Sequence, residues 1–361
     1  MKLGVIGFPS SGKTSLFNAI TGGNYPVGQP AAPHTTLALM RVPDSRLDHL
    51  HRLYKRPNCI HASVDCLDFT GLISGTGGAG GKEVKGEMMG KLREVDGIVQ
   101  VVRAFENANV PHVLETVDPV RDIAETNNEL VFADMVQCEA RLTKLRHQEK
   151  SHHLHEQERK ELATLERLLP LLEGGKPARE FQPANDDERK HVAAFQFLSA
   201  KKQVVVFNVG EEDLVPGGAA ERLQAEQPGC LAVCAELEME VARMPEEERE
   251  GFLKDLGLGE PAVKRLARQA YAALDAISFF TIGDQEVRAW TLRRGGTALD
   301  AAAKVHTDLA RGFVRAEVFA YDDLAAAGDE KALKAAGKWR LEGKDHVIKD
   351  GDVVYIRANT R

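Results

Sequence analysis

The 361-residue sequence predicts an α/β fold: a parallel sheet interrupted by an α-helical coiled-coil hairpin and followed by a small β-grasp unit. Three observations predict it. Gly7-Phe8-Pro9-Ser10-Ser11-Gly12-Lys13-Thr14 sits between a short apolar strand, 2–6, and a helix-like run, 15–20, which is the context a phosphate-binding loop needs. Strand-like runs then alternate with helical segments, and the segments that carry chemistry lie at the strands' C-terminal ends. From 128 to 173 the pattern turns to charged helix in two arms, and past 277 it turns to short strands.

Composition narrows the class. With 43% hydrophobic residues the chain has enough apolar mass for two or three packed units, and it is globular. A formal charge of −7 excludes a protein that is basic overall, so contact with RNA must be local, and DNA is not expected. The apolar start is broken at Gly7 and Pro9, which predicts no signal peptide, and no apolar run approaches the ~18 residues of a membrane span. A cytoplasmic location is the default. Cys59, Cys66, Cys138, Cys230 and Cys234 are odd in number and scattered, as reduced thiols are.

In the loop, glycines let backbone N–H groups turn in around phosphate oxygens, and the following helix adds its positive end. Lys13 is expected to neutralise the β- and γ-phosphates and the Thr14 hydroxyl to ligate Mg2+. Residues 24–36 are rich in Gly, Pro and Thr and suit a nucleotide-sensing switch loop. Thr36, in preference to Thr35, is the expected second ligand of the magnesium, although both threonines also suit the start of the strand 37–40. Residues 59–69 read as one buried strand ending in Asp68-Phe69-Thr70-Gly71. There Asp68 is placed to hold magnesium through a water and the Gly71 N–H to bind the γ-phosphate. The glycine-dense stretch 74–90 reads as a second switch.

Residues 98–102 form a third strand, and Asp118-Pro119 suits a helix cap and first helical residue. Leu142 and Leu145 on one arm and Leu162, Leu165 and Leu169 on the other predict two antiparallel helices. His152, His153 and His155 fall near their tip and read as solvated polar residues rather than a metal cluster. Strands at 203–207 and 231–233 lead into Asn208-Val209-Gly210-Glu211 and Cys234-Ala235-Glu236, the expected base-recognition segments. Strands at 287–292, 312–320 and 353–357, with a helix at 299–306, suit a β-grasp unit of about 80 residues. That unit is near neutral, with 14 Lys and Arg against 13 Asp and Glu over 278–361. Arg288, Arg293, Arg294, Arg311 and Arg315 are candidates for an RNA-facing patch, each individually better read as ordinary surface.

In this order the motifs resemble a translation-factor-type P-loop GTPase, and finer matches narrow the resemblance. Gly7-Phe8-Pro9, Pro43-Asp44-Ser45-Arg46-Leu47-Asp48, Gly71-Leu72-Ile73, Asn208-Val209-Gly210-Glu211, Phe279-Phe280-Thr281, Glu286-Val287-Arg288-Ala289-Trp290-Thr291, His306-Thr307-Asp308, Gly312-Phe313-Val314-Arg315-Ala316-Glu317 and Glu342-Gly343-Lys344-Asp345 look like the Obg-like ATPases of YchF type. The resemblance covers essentially the whole chain. It implies a P-loop NTPase G domain at 1–127 and 177–277, a coiled-coil insertion at 128–176 and a TGS domain at 278–361. It also implies ATP preferred over GTP, Mg2+, and association with ribosomes and ribosomal RNA; a monomer is expected. The implied nucleotide contacts are Phe8, Pro9, Ser10, Ser11, Gly12, Lys13, Thr14 and Ser15, then Asn208, Val209, Glu211, Cys234, Ala235 and Glu236. Lys13, Asp68 and Gly71 are the implied catalytic set, and Thr14, Thr36 and Asp68 the implied metal set.

Guanine-specific relatives read the base with Asn-Lys-x-Asp, whose aspartate accepts from guanine N1–H and the 2-amino group; adenine has no donor at either place. Here Val209 replaces the lysine and Glu211 the aspartate. The resemblance implies that Asn208 meets the adenine N6 and N7 edge, with the Val209 backbone in reach. Glu211 still leaves guanine open, and an Obg-class GTPase is the alternative. Leu72 stands where Ras-like enzymes carry a water-orienting glutamine, and Thr76 where some members of the family carry a histidine, so slow intrinsic turnover is expected. Cys234 and Glu236 depart from the Ser and Lys usual in the family, the switch loop is short after Thr36, and the loop from 74 is glycine-heavy. The second reading is a binding module in which hydrolysis is incidental.

Overall fold

In the computed structural model, residues 1–27, 34–73, 82–151 and 153–359 are described. In chain order the elements are β1 (Lys2–Ile6), α1 (Lys13–Thr21), β2 (His34–Arg41), α2 (Ser45–Tyr54), β3 (Asn58–Ile60), β4 (Ser63–Thr70), α3 (Lys82–Arg93), β5 (Gly97–Arg103), α4 (Pro119–Lys150), α5 (Glu156–Glu173), α6 (Asp186–Phe195), β6 (Lys202–Asn208), α7 (Ala219–Glu226), β7 (Leu231–Val233), α8 (Ala235–Arg243) and α9 (Glu246–Asp255). There follow α10 (Ala262–Ala273), β8 (Ala276–Ile282), β9 (Glu286–Arg293), α11 (Ala298–Val305), α12 (Thr307–Arg311), β10 (Phe313–Ala320), α13 (Tyr321–Ala327), α14 (Glu330–Ala335), β11 (Arg340–Glu342) and β12 (Asp352–Ala358). They fall into two units, Lys2–Leu37 with Cys66–Gly259, and Met1 with Ala38–Asp65 and Glu260–Arg361.

The first unit is organised by a sheet of order β2-β4-β1-β5-β6-β7, in which β1, β5, β6 and β7 pair in parallel. Its central strands are continuous apolar runs rather than alternating ones because both faces are covered; all seven residues of β5 are buried. Parallel pairing brings the C-terminal ends of β1, β5 and β6 to one edge, with Arg103 level with Asn208. On the hairpin, Leu142, Leu145, Leu162, Leu165 and Leu168 share one core, while Leu169 is only partly buried. The Arg141 guanidinium donates to both carboxylate oxygens of Glu161, at 2.7 and 2.8 Å, tying one helix to the other. No helix among the described residues is long and apolar enough to cross a membrane.

Two expectations from the sequence are corrected in and around this sheet. The run 59–69 is two strands, β3 and β4, because β3 pairs with β9 rather than continuing along β4's neighbours. The stretch 74–90, read as a second switch without apolar rhythm, is helix α3 over 82–90: Met88 and Leu92, one turn apart, are buried in the core, and a Cβ added at Gly86 or Gly90 would meet no neighbouring atom. Residues 74–81, including Thr76, lie outside the described residues, as do 28–33 of the first switch and His152.

The second unit holds a sheet of order β11-β10-β12-β8-β9-β3, with β8 and β12 parallel at its centre and β8–β9 and β10–β12 antiparallel. Helix α11 packs Ala298 and Ala301 against Ile277, Phe279, Val318 and Val354. Its start is fixed by Thr297, whose side chain accepts from the Asp300 N–H while Asp300 answers to the Thr297 N–H. The domain limits expected at 127/128 and 277/278 fall inside α4 and β8. Helix α4 starts at Pro119 because the Asp118 carboxylate accepts from Arg121 N–H at 3.0 Å and caps it there. Residues 38–65 group with the C-terminal unit, since α2 and β3 lie beside β9 and Arg46 pairs with Asp350 at 2.8 Å.

Candidate functional site

β1 ends at Ile6, and the chain turns into α1 through backbone that side chains resist. Gly7 has φ 152°, and a Cβ there would lie 2.2 Å from the Val101 carbonyl oxygen. Gly12 has φ 87°, and a Cβ would lie 2.0 Å from Asn208 Nδ2. Phe8 is buried in the core with Ile6 and Leu72, Pro9 is half-buried, and Ser10 at φ 61° is exposed. Gly12 caps α1 without a side-chain hydrogen bond and no acid stands in the first turn, so this nine-residue helix offers its first N–H groups and dipole uncompensated. The Ser11 hydroxyl is buried with no hydrogen-bond partner. A phosphate oxygen satisfies both features.

Lys13 is 6% exposed, and its Nζ donates to the Phe8 carbonyl at 2.7 Å, folding the cation back over the loop. Burial lowers its pKa to about 8, against the partial support of the Asp68 charge. Thr14 donates its hydroxyl to Asp68 Oδ2 at 3.4 Å, and Thr70 donates to the same oxygen at 3.2 Å. Asp68 is buried near the end of β4, and Gly71 follows with φ 80°. A hydroxyl facing a carboxylate is a pair of hard oxygens, the donor type that Mg2+ takes, so the residues present fit that ion. Thr35 and Thr36 both lie within β2. These two residues thus begin a strand, as they were also suited to do, and no hydrogen bond among the described residues joins Thr36 to this group.

At the next strand end, Asn208 acts as a clasp. Its Nδ2 donates to the Ser11 carbonyl at 3.0 Å and its Oδ1 accepts from the Ala235 N–H at 2.9 Å, joining the loop, β6 and α8. That leaves one Nδ2 hydrogen, a donor suited to a purine N7, and one lone pair on an oxygen that already holds the start of α8. The Val209 side chain is buried and its N–H donates to the Val233 carbonyl at 3.0 Å, so that N–H is not free for a base. Glu211 begins a 3-10 turn over Glu211–Leu214 and is exposed. Cys234 and Ala235 are buried at the start of α8, burial pushing the Cys234 thiol up, and Glu236 points outward from its first turn. Ser15 is half-buried on α1.

Leu72 is fully buried in the core with Phe69, Ile73 and Met88, and cannot touch a water at the site. Sequence reasoning missed a buried charged group behind the loop. Arg103 is 2% exposed and donates Nε to the Phe105 carbonyl at 3.1 Å; Asp122, also buried, adds to its field and lies 2.9 Å from His112. His112 meets the Phe8 ring edge-on at 6.2 Å between centroids. The signal was Arg103's place immediately beyond the strand 98–102, at the edge where parallel sheets carry function. Of the arginines proposed for RNA, Arg288 stacks on Trp290 at 4.0 Å.

Comparison with known proteins places these features in a family. Residues 2–134 match the family model described as "50S ribosome-binding GTPase", and residues 276–359 match the YchF GTPase C-terminal model, described as "Protein of unknown function". The chain is similar to the "Ribosome-binding ATPase YchF" of Haemophilus ducreyi, at 38% identity over 99% of each chain. It is similar to that of Bacillus subtilis at 36% identity, over 99% of this chain and 98% of the relative. Among solved structures, that of the Schizosaccharomyces pombe YchF GTPase shares 30% identity and a TM-score of 0.81, over 99% of this chain and 97% of the other.

Proposed function

Because the chain belongs to the YchF family, we propose that it is a P-loop nucleotide switch that binds ATP with Mg2+, hydrolyses it slowly and associates with ribosomes. The observation that carries the reading is the convergence of Lys13, Thr14 and Asp68 on an α1 N-terminus left uncapped. With nucleotide bound, Lys13 would exchange the Phe8 carbonyl for the β- and γ-phosphates, Thr14 and Asp68 would hold the ion, and the Gly71 N–H would serve the γ-phosphate. Thr36 would be the further ligand when the triphosphate is bound. The ion supplies charge neutralisation between the phosphates.

Base choice rests on Asn208, Val209 and Glu211 on one side and Cys234, Ala235 and Glu236 on the other. The Asn208 amide has one hydrogen left for N7, which both purines offer, so its contribution is affinity and alignment rather than choice. Adenine is favoured because Glu211, at the head of the 3-10 turn, stands in place of the shorter aspartate that pairs with guanine's donors, and its longer side chain need not keep that pairing. With Leu72 in the core, no side chain at that position orients the attacking water, which favours slow turnover.

The helical pair α4–α5 is the coiled-coil arm and the C-terminal unit a TGS-type β-grasp, the surfaces through which a ribosome and its RNA are met. The protein works as a cytoplasmic monomer. A competition titration with fluorescent ATP and GTP analogues in Mg2+ tests the base assignment. ATP displacing the probe at lower concentration than GTP supports it, and the reverse order returns the protein to the GTPase reading.

A further inference from the structure

A second group of ligating side chains lies in the other unit and includes none of the residues that the nucleotide chemistry uses. Cys59 and His61 are two residues apart on and just past β3, so they project to the same side of the strand. β3 is held by its parallel register with β9, Cys59 opposite Val287, and by Asn58, whose backbone N–H and side-chain Nδ2 both donate to the Gln285 carbonyl. Asp48 is on α2, next to the buried Leu47, which with Leu50 seats that helix. The carboxylate, the thiol sulfur and an imidazole nitrogen all lie within 4.8 Å of one another, with His61 Nε2 3.4 Å from Asp48 Oδ1. A tetrahedral centre with bonds of about 2.0–2.3 Å needs its ligands about 3.3–3.8 Å apart, so small side-chain rotations close the gap. His61 Nδ1 is buried and finds no hydrogen-bond partner among the described residues, so the ring's polar capacity is not fully spent on the protein.

We propose that Asp48, Cys59 and His61 form a site for one borderline divalent transition-metal ion of the Zn2+ class. Sulfur and imidazole donors exclude Mg2+ and Ca2+ and distinguish this cluster from the all-oxygen pair Thr14 and Asp68. All three residues are half-buried, so an ion can enter from solvent. Three protein ligands leave the fourth position for water or an added ligand. On binding, the Cys59 S–H bond breaks, a metal–sulfur bond forms, and one proton passes to the buffer, while Asp48 binds as carboxylate and His61 as neutral imidazole.

The test is titration of the reduced, chelator-treated full chain with Co2+ in excess Mg2+, which fills oxygen-only sites. The expected result is a thiolate-to-cobalt charge-transfer band with intense visible d–d bands, saturating at one equivalent and bleached by Zn2+. Cys59→Ser removes the charge-transfer band, His61→Ala weakens Co2+ binding at least tenfold, and Cys230→Ser, a half-buried thiol elsewhere, changes neither. If Cys59→Ser does not fold, Asp48→Asn and His61→Gln carry the same reading through loss of d–d intensity. A folded wild type with no charge-transfer band, or a band that persists in folded Cys59→Ser, overturns the proposal.

Discussion

Lys13 is held in the loop at a cost, and Lys13→Met exposes it. The drop of its pKa from an ordinary 10.5 to about 8 corresponds to about 3 kcal/mol of disfavoured charge at neutral pH. Methionine fills the same space without charge and loses the bond to the Phe8 carbonyl, worth about 1.5 kcal/mol for a charged donor. The nucleotide-free variant is therefore expected to be about 1–2 kcal/mol more stable than wild type at pH 7. The folded-state pKa lies below the unfolded one, so the unfolded chain holds more protons between about pH 8 and 10.5. Wild-type stability, relative to the variant, then rises with pH across that window, so the variant's advantage vanishes near pH 9 and the order is reversed by pH 10. Saturating Mg2+-ATP reverses the order at pH 7: at a hundredfold excess over Kd it stabilises wild type by about 2.7 kcal/mol and leaves the variant unmoved. The assay is urea unfolding at both pH values with and without nucleotide. A nucleotide-free variant no more stable than wild type at pH 7, with the same pH dependence, refutes the buried-cation account.

Asp68→Asn keeps a group that Thr14 and Thr70 can bond but removes the ion's anionic ligand, so Mg2+-dependent turnover is expected to fall at least a hundredfold, while circular dichroism stays unchanged. Asn208→Ala strands the Ser11 carbonyl and Ala235 N–H and is expected to cost about 2–4 kcal/mol in thermal or urea stability, weakening ATP and GTP binding by similar factors because the clasp does not read the base. Gly12→Ala forces φ 87° on a residue with a Cβ and drives it onto Asn208; the expected result is lost nucleotide binding and a lowered melting temperature, read by fluorescence titration and calorimetry. Glu161→Ala, by contrast, removes a partly exposed ion pair and is expected to shift stability by less than about 1 kcal/mol.

What the sequence made legible was local. The loop from Gly7 to Thr14 announces its own backbone, because only glycine tolerates the approach of Val101 and Asn208, and the apolar runs of β5, β6 and β7 mark a sheet covered on both faces. The leucines at 142, 145, 162 and 165 identified the hairpin, although its beginning depended on the Asp118 cap and not on periodicity. What escaped was long-range. Whether 59–69 is one strand or two is decided by β9, more than two hundred residues away, and the gathering of 38–65 with the C-terminal unit follows from the same pairing. The resemblance implies a base contact at Asn208, but only the folded chain brings Ser11 and Ala235 to its two side-chain atoms. Helix α3 was hidden by Gly86 and Gly90, which lie on a side of the helix where nothing packs.

The central claim is that nucleotide at the loop controls association with the ribosome. Its most direct test is co-sedimentation of the wild-type chain and Lys13→Ala with ribosomes, each with Mg2+-ATP and without nucleotide. The account predicts that Mg2+-ATP changes the wild-type bound fraction and leaves that of Lys13→Ala where it is without nucleotide. Equal binding of both proteins, indifferent to nucleotide, contradicts the switch and leaves a ribosome-binding module in which hydrolysis is incidental.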